Sequence, residues 1–208
     1  MTFKILSTAA ALSVLATAAF AADTYGAQSV SNSQTEFAKI GSNLNATISN
    51  VTGKVDLTSA AIGNTATITG DTAGAIGSRQ VFNGNAVANL NGQISNVVGD
   101  VGVTAAAIGN SLTVDVARGG SVSNVQYANY DPTANLNLSS YNIAGDLSST
   151  AAAIANTATI SGEVASIGSQ QVNAAYTVAN TNARINKVVG DVSITSAAIG
   201  NSLTIKGF

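Results

Sequence analysis

Residues 103–114 read VTAAAIGNSLTV, and three other stretches of the chain repeat this string with small changes. They read LTSAAIGNTATI from Leu57, STAAAIANTATI from Ser149 and ITSAAIGNSLTI from Ile194. Spacings of 46, 46 and 45 residues separate the equivalent positions Gly63, Gly109, Ala155 and Gly200. A fixed period of this length is typical of architectures built from stacked repeats. The string is therefore one part of a longer repeating unit.

Four copies of this unit are predicted, at approximately 31–76, 77–122, 123–167 and 168–208. When the copies are aligned, several columns hold the same polar residue in every copy. The amide columns are Gln34, Gln80, Gln126 and Gln171; Asn43, Asn89, Asn135 and Asn180; Asn45, Asn91, Asn137 and Asn182; and Asn64, Asn110, Asn156 and Asn201. A hydroxyl column contains Thr67, Thr113, Thr159 and Thr204. Such columns predict ladders of identical side chains along a stack.

The local pattern within each copy predicts strands. Ala66 and Ile68 alternate with Thr65 and Thr67, and this period of two is typical of a β-strand with one buried face. The alanine-rich stretch before it has helical propensity, but glycine bounds it too closely for a helix. We therefore expect this stretch to be strand as well.

Strands and turns that repeat in register predict an all-β fold, a β-solenoid in which each copy buries its apolar face on the next. Identical Asn, Gln and Thr side chains would then stack about 4.8 Å apart along the axis. A copy of 46 residues is long for one rung of such a stack. Its length favours two rungs of about 23 residues each.

The N-terminus has the features of a secretory signal peptide. Lys4 precedes an apolar run from Ile5 to Phe20, and Ala19-Phe20-Ala21 fits the small-x-small cleavage rule. We predict a signal peptide at 1–21, an N-terminal segment at 22–30 and a single repeat domain at 31–208. The mature chain is then secreted and has no segment that inserts into a membrane.

Composition excludes several classes of function. Charged residues make up 9% of the chain and the net charge is −2, which excludes electrostatic binding of nucleic acid or of a membrane surface. The absence of His and Cys excludes His-based triads, thiolate nucleophiles and the usual zinc sites. We therefore predict no enzymatic activity and no cofactor.

One acidic column is a candidate calcium site. Asp100, Asp146 and Asp191 occupy it, but Lys54 stands there in the first copy. Because calcium needs six to eight oxygen ligands, one carboxylate per copy favours a Gly-Asp turn and no metal.

In two alternative interpretations the chain is a monomeric β-solenoid that binds a ligand. The paired hydroxyls of each copy form a Ser/Thr-x-Thr array that resembles ice-binding surfaces. Exposed aromatic residues could form a carbohydrate platform, for which the candidates are Tyr127, Tyr130, Tyr141 and Tyr176. Packing at loop edges is the simpler interpretation of these tyrosines.

The repeats also resemble known families. Exported chains without Cys that carry Gln and Asn ladders resemble curlin-type functional amyloids, and the AAIGNS-type copies are similar to repeats in bacterial holdfast-anchor surface proteins. This resemblance implies export to the cell surface and self-assembly into an adhesive extracellular fibre that serves surface attachment and biofilm formation. The partners it implies are further copies of the chain and, in addition, a surface anchor or a secretion pore. The expected assembly edge is the last strand, formed by Ser202, Leu203, Thr204 and Ile205.

Overall fold

A computed structural model of the chain describes residues 5–20 and 29–207, with side chains for the second range. The described residues form parallel β-strands and contain no helix. The strands are β1 Ile5–Phe20, β2 Val30–Glu36, β3 Ile40–Thr52, β4 Val55–Phe82, β5 Ala86–Val98, β6 Val101–Ala128, β7 Thr133–Ile143, β8 Leu147–Asn173, β9 Val178–Val188 and β10 Val192–Lys206. The prediction of an all-β, solenoid-like fold is confirmed.

The strands stack in two sheets. The first sheet has the order β1-β4-β6-β8-β10, with β2 paired to the second part of β4. The second sheet has the order β3-β5-β7-β9. Every pairing is parallel, so each strand lies directly on the equivalent strand of the next copy.

The prediction of two rungs per copy is wrong, because paired residues are a whole copy apart. Asn64 lies opposite Asn110, and Asn110 lies opposite Asn156, each 46 positions further along. In the first copy, β3 packs on the start of β4 around one core, and β2 packs on the middle of β4 around a second core. Three segments with their connecting turns use the full 46 residues, so each copy completes one rung.

The repeated string forms a corner of this rung. Up to Ala61 the odd-numbered residues of β4 are buried, whereas from Asn64 to Ile68 the even-numbered residues are. Gly63 and Asn64 are both buried, so the strict alternation of a strand is interrupted between them. The interruption directs the two halves of one long strand toward two different cores.

A glycine is needed at the corner because an aromatic ring packs against it. A Cβ added at Gly63 would lie 2.6 Å from two ring atoms of Phe82 and 2.5 Å from the carbonyl oxygen of Gly109. The ring also reaches the corner of the next rung, where a Cβ added at Gly109 would lie 3.0 Å from it. A methyl group at either corner would therefore meet the ring.

Two hydrophobic cores run along the stack. The larger core lies between the second sheet and the first parts of β4, β6 and β8, and includes Leu57, Leu90 and Val103. The smaller core lies inside the bend of the same long strands and includes Ile68, Ile76 and Val114. Small alanine side chains occupy the narrow part of the larger core, at Ala61, Ala105, Ala107, Ala151 and Ala153.

The turn after the second-sheet strands uses a left-handed residue in each copy. Asn50, Asn96 and Asn142 have φ of 58°, 53° and 56°, and Lys187 has φ of 55° at the equivalent place. Asparagine adopts this conformation more readily than most residues. Lys187 is therefore the least suitable residue in this column.

The apolar run near the N-terminus forms strand β1, which pairs in parallel with the first part of β4. Its assignment as a signal peptide stays a prediction, and the proposed N-terminal segment falls largely on residues 22–28, outside the described residues. No membrane-spanning helix was found in the part of the chain that the structure describes.

Candidate assembly surfaces

The corner asparagines form a ladder through the interior of the stack. Asn64 Nδ2 donates to Asn110 Oδ1 at 2.8 Å, Asn110 donates to Asn156 at 2.7 Å, and Asn156 donates to Asn201 at 2.8 Å. The same amide nitrogens of the first three residues also donate to main-chain carbonyls across the bend, at Val81, Tyr127 and Val172. Since the first three residues are fully buried, this ladder satisfies polar groups that water does not reach.

The glutamine column forms a second interior ladder that runs the other way. Gln171 Nε2 donates to Gln126 Oε1 at 2.7 Å, Gln126 donates to Gln80 at 2.8 Å, and Gln80 donates to Gln34 at 2.8 Å. Each Nε2 also donates, at 2.9 Å, to the main-chain carbonyl of the facing strand in its own rung, at Thr65, Ser111, Thr157 and Ser202. The asparagine ladder thus donates toward the C-terminal rung, and the glutamine ladder donates toward the N-terminal rung.

The asparagines of the second sheet form ladders on the outer surface. Asn89, Asn135 and Asn180 each donate to the preceding member of their column at 2.6–2.9 Å. In the neighbouring column, Asn91 donates to Asn45 at 2.7 Å and Asn137 donates to Asn91 at 2.8 Å. The fourth member of that column, Asn182, is exposed and in register with Asn137. These ladders face solvent, so each contributes less to stability than a buried ladder.

The threonine column lies on the outer side of the long strands. Thr67, Thr113 and Thr159 are half-buried and in register, and Thr204 is exposed. Their hydroxyl groups therefore recur at one register position in successive rungs.

The tyrosines lie in several different elements. Tyr127 is in β6 and Tyr141 in β7, whereas Tyr130 and Tyr176 lie in loops and are 53% and 81% exposed. Tyr141 accepts a hydrogen bond from Lys187 Nζ at 2.9 Å, which raises the pKa of this exposed lysine.

The acidic column serves the turns. The main-chain N–H of Asp146 donates to Asp100 Oδ1 at 3.1 Å, and the N–H of Asp191 donates to Asp146 Oδ1 at 2.9 Å. No group of three His, Cys, Asp or Glu side chains that could hold a metal occurs in the described part of the chain.

The C-terminal rung has a neighbour on one side only among the described residues. On this rung Val192, Ile194 and Leu203 are 47%, 49% and 43% exposed. The residues in register with the first and last of these, Leu147 and Ala158, are each 1% exposed. The expected assembly edge, Ser202 to Ile205, lies within this rung.

Sequence reasoning missed two features of these surfaces. The direction in which each ladder donates depends on how the amides are oriented, which no residue pattern reveals. The left-handed column of Asn50, Asn96 and Asn142 was detectable, because it has the same 46-residue spacing and its side chains also form a ladder.

A comparison with models of protein families assigns the chain to a family. The model of the family described as holdfast attachment protein D matches residues 71–208, which are 138 of the 208 residues. The chain belongs to the holdfast attachment protein D family. This membership supports a role in holdfast attachment and surface adhesion, and it implies a cell-surface or extracellular location.

The segment matched by the holdfast attachment protein D family includes all of β5 to β10 and the last part of β4. The resemblance to holdfast-anchor surface proteins is confirmed at the level of the family, whereas the resemblance to curlin-type amyloids stays a prediction. No curated protein and no solved structure matches the chain.

Proposed function

We propose that the chain is a non-catalytic structural subunit of holdfast attachment, and that its copies associate end to end into a surface fibre. The observation that carries the proposal is the C-terminal rung, on which Val192 and Leu203 are exposed although their register partners inside the stack, Leu147 and Ala158, are apolar and buried. An open strand edge of this kind pairs readily with another chain.

The interior of the stack favours the addition of further rungs at its ends. The buried ladders consist of neutral amides that each bond to an identical side chain in the next rung. A further copy can therefore extend both ladders without burying an unpaired charge. The low net charge of −2 adds little repulsion between copies.

The attachment role is tested in cells of the source organism that lack the chain. We expect such cells to detach from a surface and leave their adhesive behind, and the wild-type chain to restore attachment. Attachment that stays at the wild-type level without the chain would contradict the role.

End-to-end association is tested in the same cells with charged variants of the open rung. The double variant Leu203→Lys with Ile205→Lys places two charges on exposed apolar positions of β10, so it should not restore attachment. The control, Val98→Lys, changes an exposed apolar residue at the end of β5 and should restore attachment fully. Full restoration by the double variant would show that attachment does not need the open rung.

A further inference from the structure

We propose that strand β1 of the uncleaved chain covers the edge of β4 to which a second chain binds, and that removal of β1 exposes this edge for association. The receiving edge is the first part of β4, residues 55–70, along which β1 lies. The incoming strand is β10 of another copy. This inference rests on the proposed end-to-end association. It specifies the register of that association and the cleavage step that permits it.

The register of a second copy follows from the stack. Successive repeats are offset by 46, 46 and 45 residues, so continuing the stack into a second chain pairs residues that are 137 positions apart. Val192 of one copy then lies opposite Val55 of the next, and Asn201 lies opposite Asn64. In the uncleaved chain these two receiving positions are paired with Ile5 and Val14. Strand β1 therefore occupies the register that β10 of a second copy would take.

The sequences of the two strands agree with this exchange. The run TAAAL at 8–12 of β1 corresponds by register to TSAAI at 195–199 of β10. Thr17 corresponds in the same way to Thr204. The apolar run that resembles a signal peptide is thus also an approximate copy of the repeated string.

The two interior ladders make the ends of the stack complementary. At the C-terminal end, the Asn201 amide is the next donor of its ladder and Gln171 Oε1 is the next acceptor of the other. At the N-terminal end, Asn64 Oδ1 is an acceptor, and Gln34 Nε2 has a second hydrogen beyond its bond to Thr65. Head-to-tail stacking joins each donor to an acceptor, so the resulting fibre is polar and all its strands stay parallel.

One atom distinguishes β1 from a second copy. Asn64 Oδ1 is buried and has no hydrogen-bond donor among the described residues. Val14 is opposite Asn64 in β1, and valine has no side-chain donor, whereas a second copy would present Asn201 there.

Asn201 makes a longer hydrogen bond to the main chain than the equivalent residue of the preceding rung does. Its Nδ2 donates to Gln171 O at 3.3 Å, whereas the equivalent Asn156 donates to Val172 O at 2.8 Å. Stacking would give both Asn64 and Asn201 the bonds they lack, so a second copy is the better occupant of the receiving edge. A donor for one buried acceptor corresponds to roughly 5- to 150-fold in affinity.

The test uses the full chain with a protease-recognition sequence in 22–28, so that β1 is released only after folding. Because the chain has no Cys, single cysteines report one contact. Chains with Thr65→Cys are mixed with chains with Ser202→Cys, since these two positions face each other at the proposed offset. The matched control replaces Ser202→Cys with Ser193→Cys, which lies nine positions away on the same strand. The amount of disulfide-linked dimer is measured before and after cleavage, and light scattering reports association.

We expect the 65–202 dimer to form at least about tenfold faster after cleavage than before it, and the 65–193 dimer to stay at the background level. Equal rates before and after cleavage would overturn the claim that β1 blocks the edge. Association without the 65–202 dimer would overturn the register but leave the proposed end-to-end association standing. No association at all would contradict the proposed association itself.

A variant of β1 tests the role of the missing donor. Val14→Asn supplies a donor opposite Asn64, so β1 should hold the receiving edge more tightly and delay dimer formation by roughly 5- to 150-fold after cleavage. The control, Ala10→Ser, makes a small polar change in the same strand and should leave the rate unchanged. An unchanged or faster rate for Val14→Asn would show that the unpaired oxygen does not decide the exchange.

Discussion

Replacing Asn110 with leucine should destabilise the stack far more than the same change on its surface. Asn110 is fully buried, accepts from Asn64 Nδ2 at 2.8 Å, and donates to Asn156 Oδ1 at 2.7 Å and to Tyr127 O at 2.8 Å. Leucine has a similar size but no polar atom, so three buried groups each lose one partner. Each such loss costs about 1–3 kcal/mol, and we expect a total of about 3–6 kcal/mol because Asn64 keeps its bond to Val81. This is a large fraction of the stability of a typical domain, about 5–15 kcal/mol.

The matched control is Asn91→Leu in the outer ladder. Asn91 donates to Asn45 at 2.7 Å and accepts from Asn137 at 2.8 Å, but it is exposed, so water can replace both bonds. We expect a loss below about 1 kcal/mol. Urea denaturation followed by far-ultraviolet circular dichroism measures both variants against the wild-type chain. Equal shifts of the two unfolding midpoints would refute the distinction between buried and exposed ladders.

Three further predictions follow from the corner, the turn and the charge. Gly63→Ala should lower the free energy of unfolding by about 1–3 kcal/mol because its methyl group meets the Phe82 ring. The control, Gly41→Ala, has nothing within 4 Å of its new methyl group and should change the free energy of unfolding by less than about 0.5 kcal/mol. Equal thermal unfolding midpoints for the two variants would contradict this expectation. Lys187→Asn should stabilise the chain by about 0.5–1 kcal/mol because φ is 55° there, and a lower melting temperature would show that the Tyr141 contact matters more. Association of cleaved chains, followed by light scattering, should change little with salt because the ladders are neutral and the net charge is −2, so a steep salt dependence would indicate association through charge.

The sequence was sufficient to predict the strands and the columns that stack. Ala66 and Ile68 alternate with threonines, and burial follows this alternation in the structure. The columns of Asn64 and Gln34 could be found because each recurs at the same offset in every copy. Residues that recur in this way are brought together when copies lie on one another in parallel.

The number of rungs and the shape of each rung could not be predicted in the same way. A period measures the length of a copy but does not report how many turns the backbone makes within it. The change of buried face at Gly63 and Asn64 interrupts the two-residue alternation, and the Phe82 ring that packs against this corner comes from the far end of β4. Contacts of this kind depend on the path of the chain between the strands.

The end-to-end account is tested most directly by cryo-electron microscopy of fibres formed after β1 is released. The second sheet contributes four strands per chain, so a head-to-tail stack with strands about 4.8 Å apart should advance about 19 Å per chain. We expect polar fibres with this rise, in which β10 of one chain lies directly on β4 of the next chain. A rise near 38 Å would contradict one rung per copy, and fibres without polarity would contradict the head-to-tail pairing.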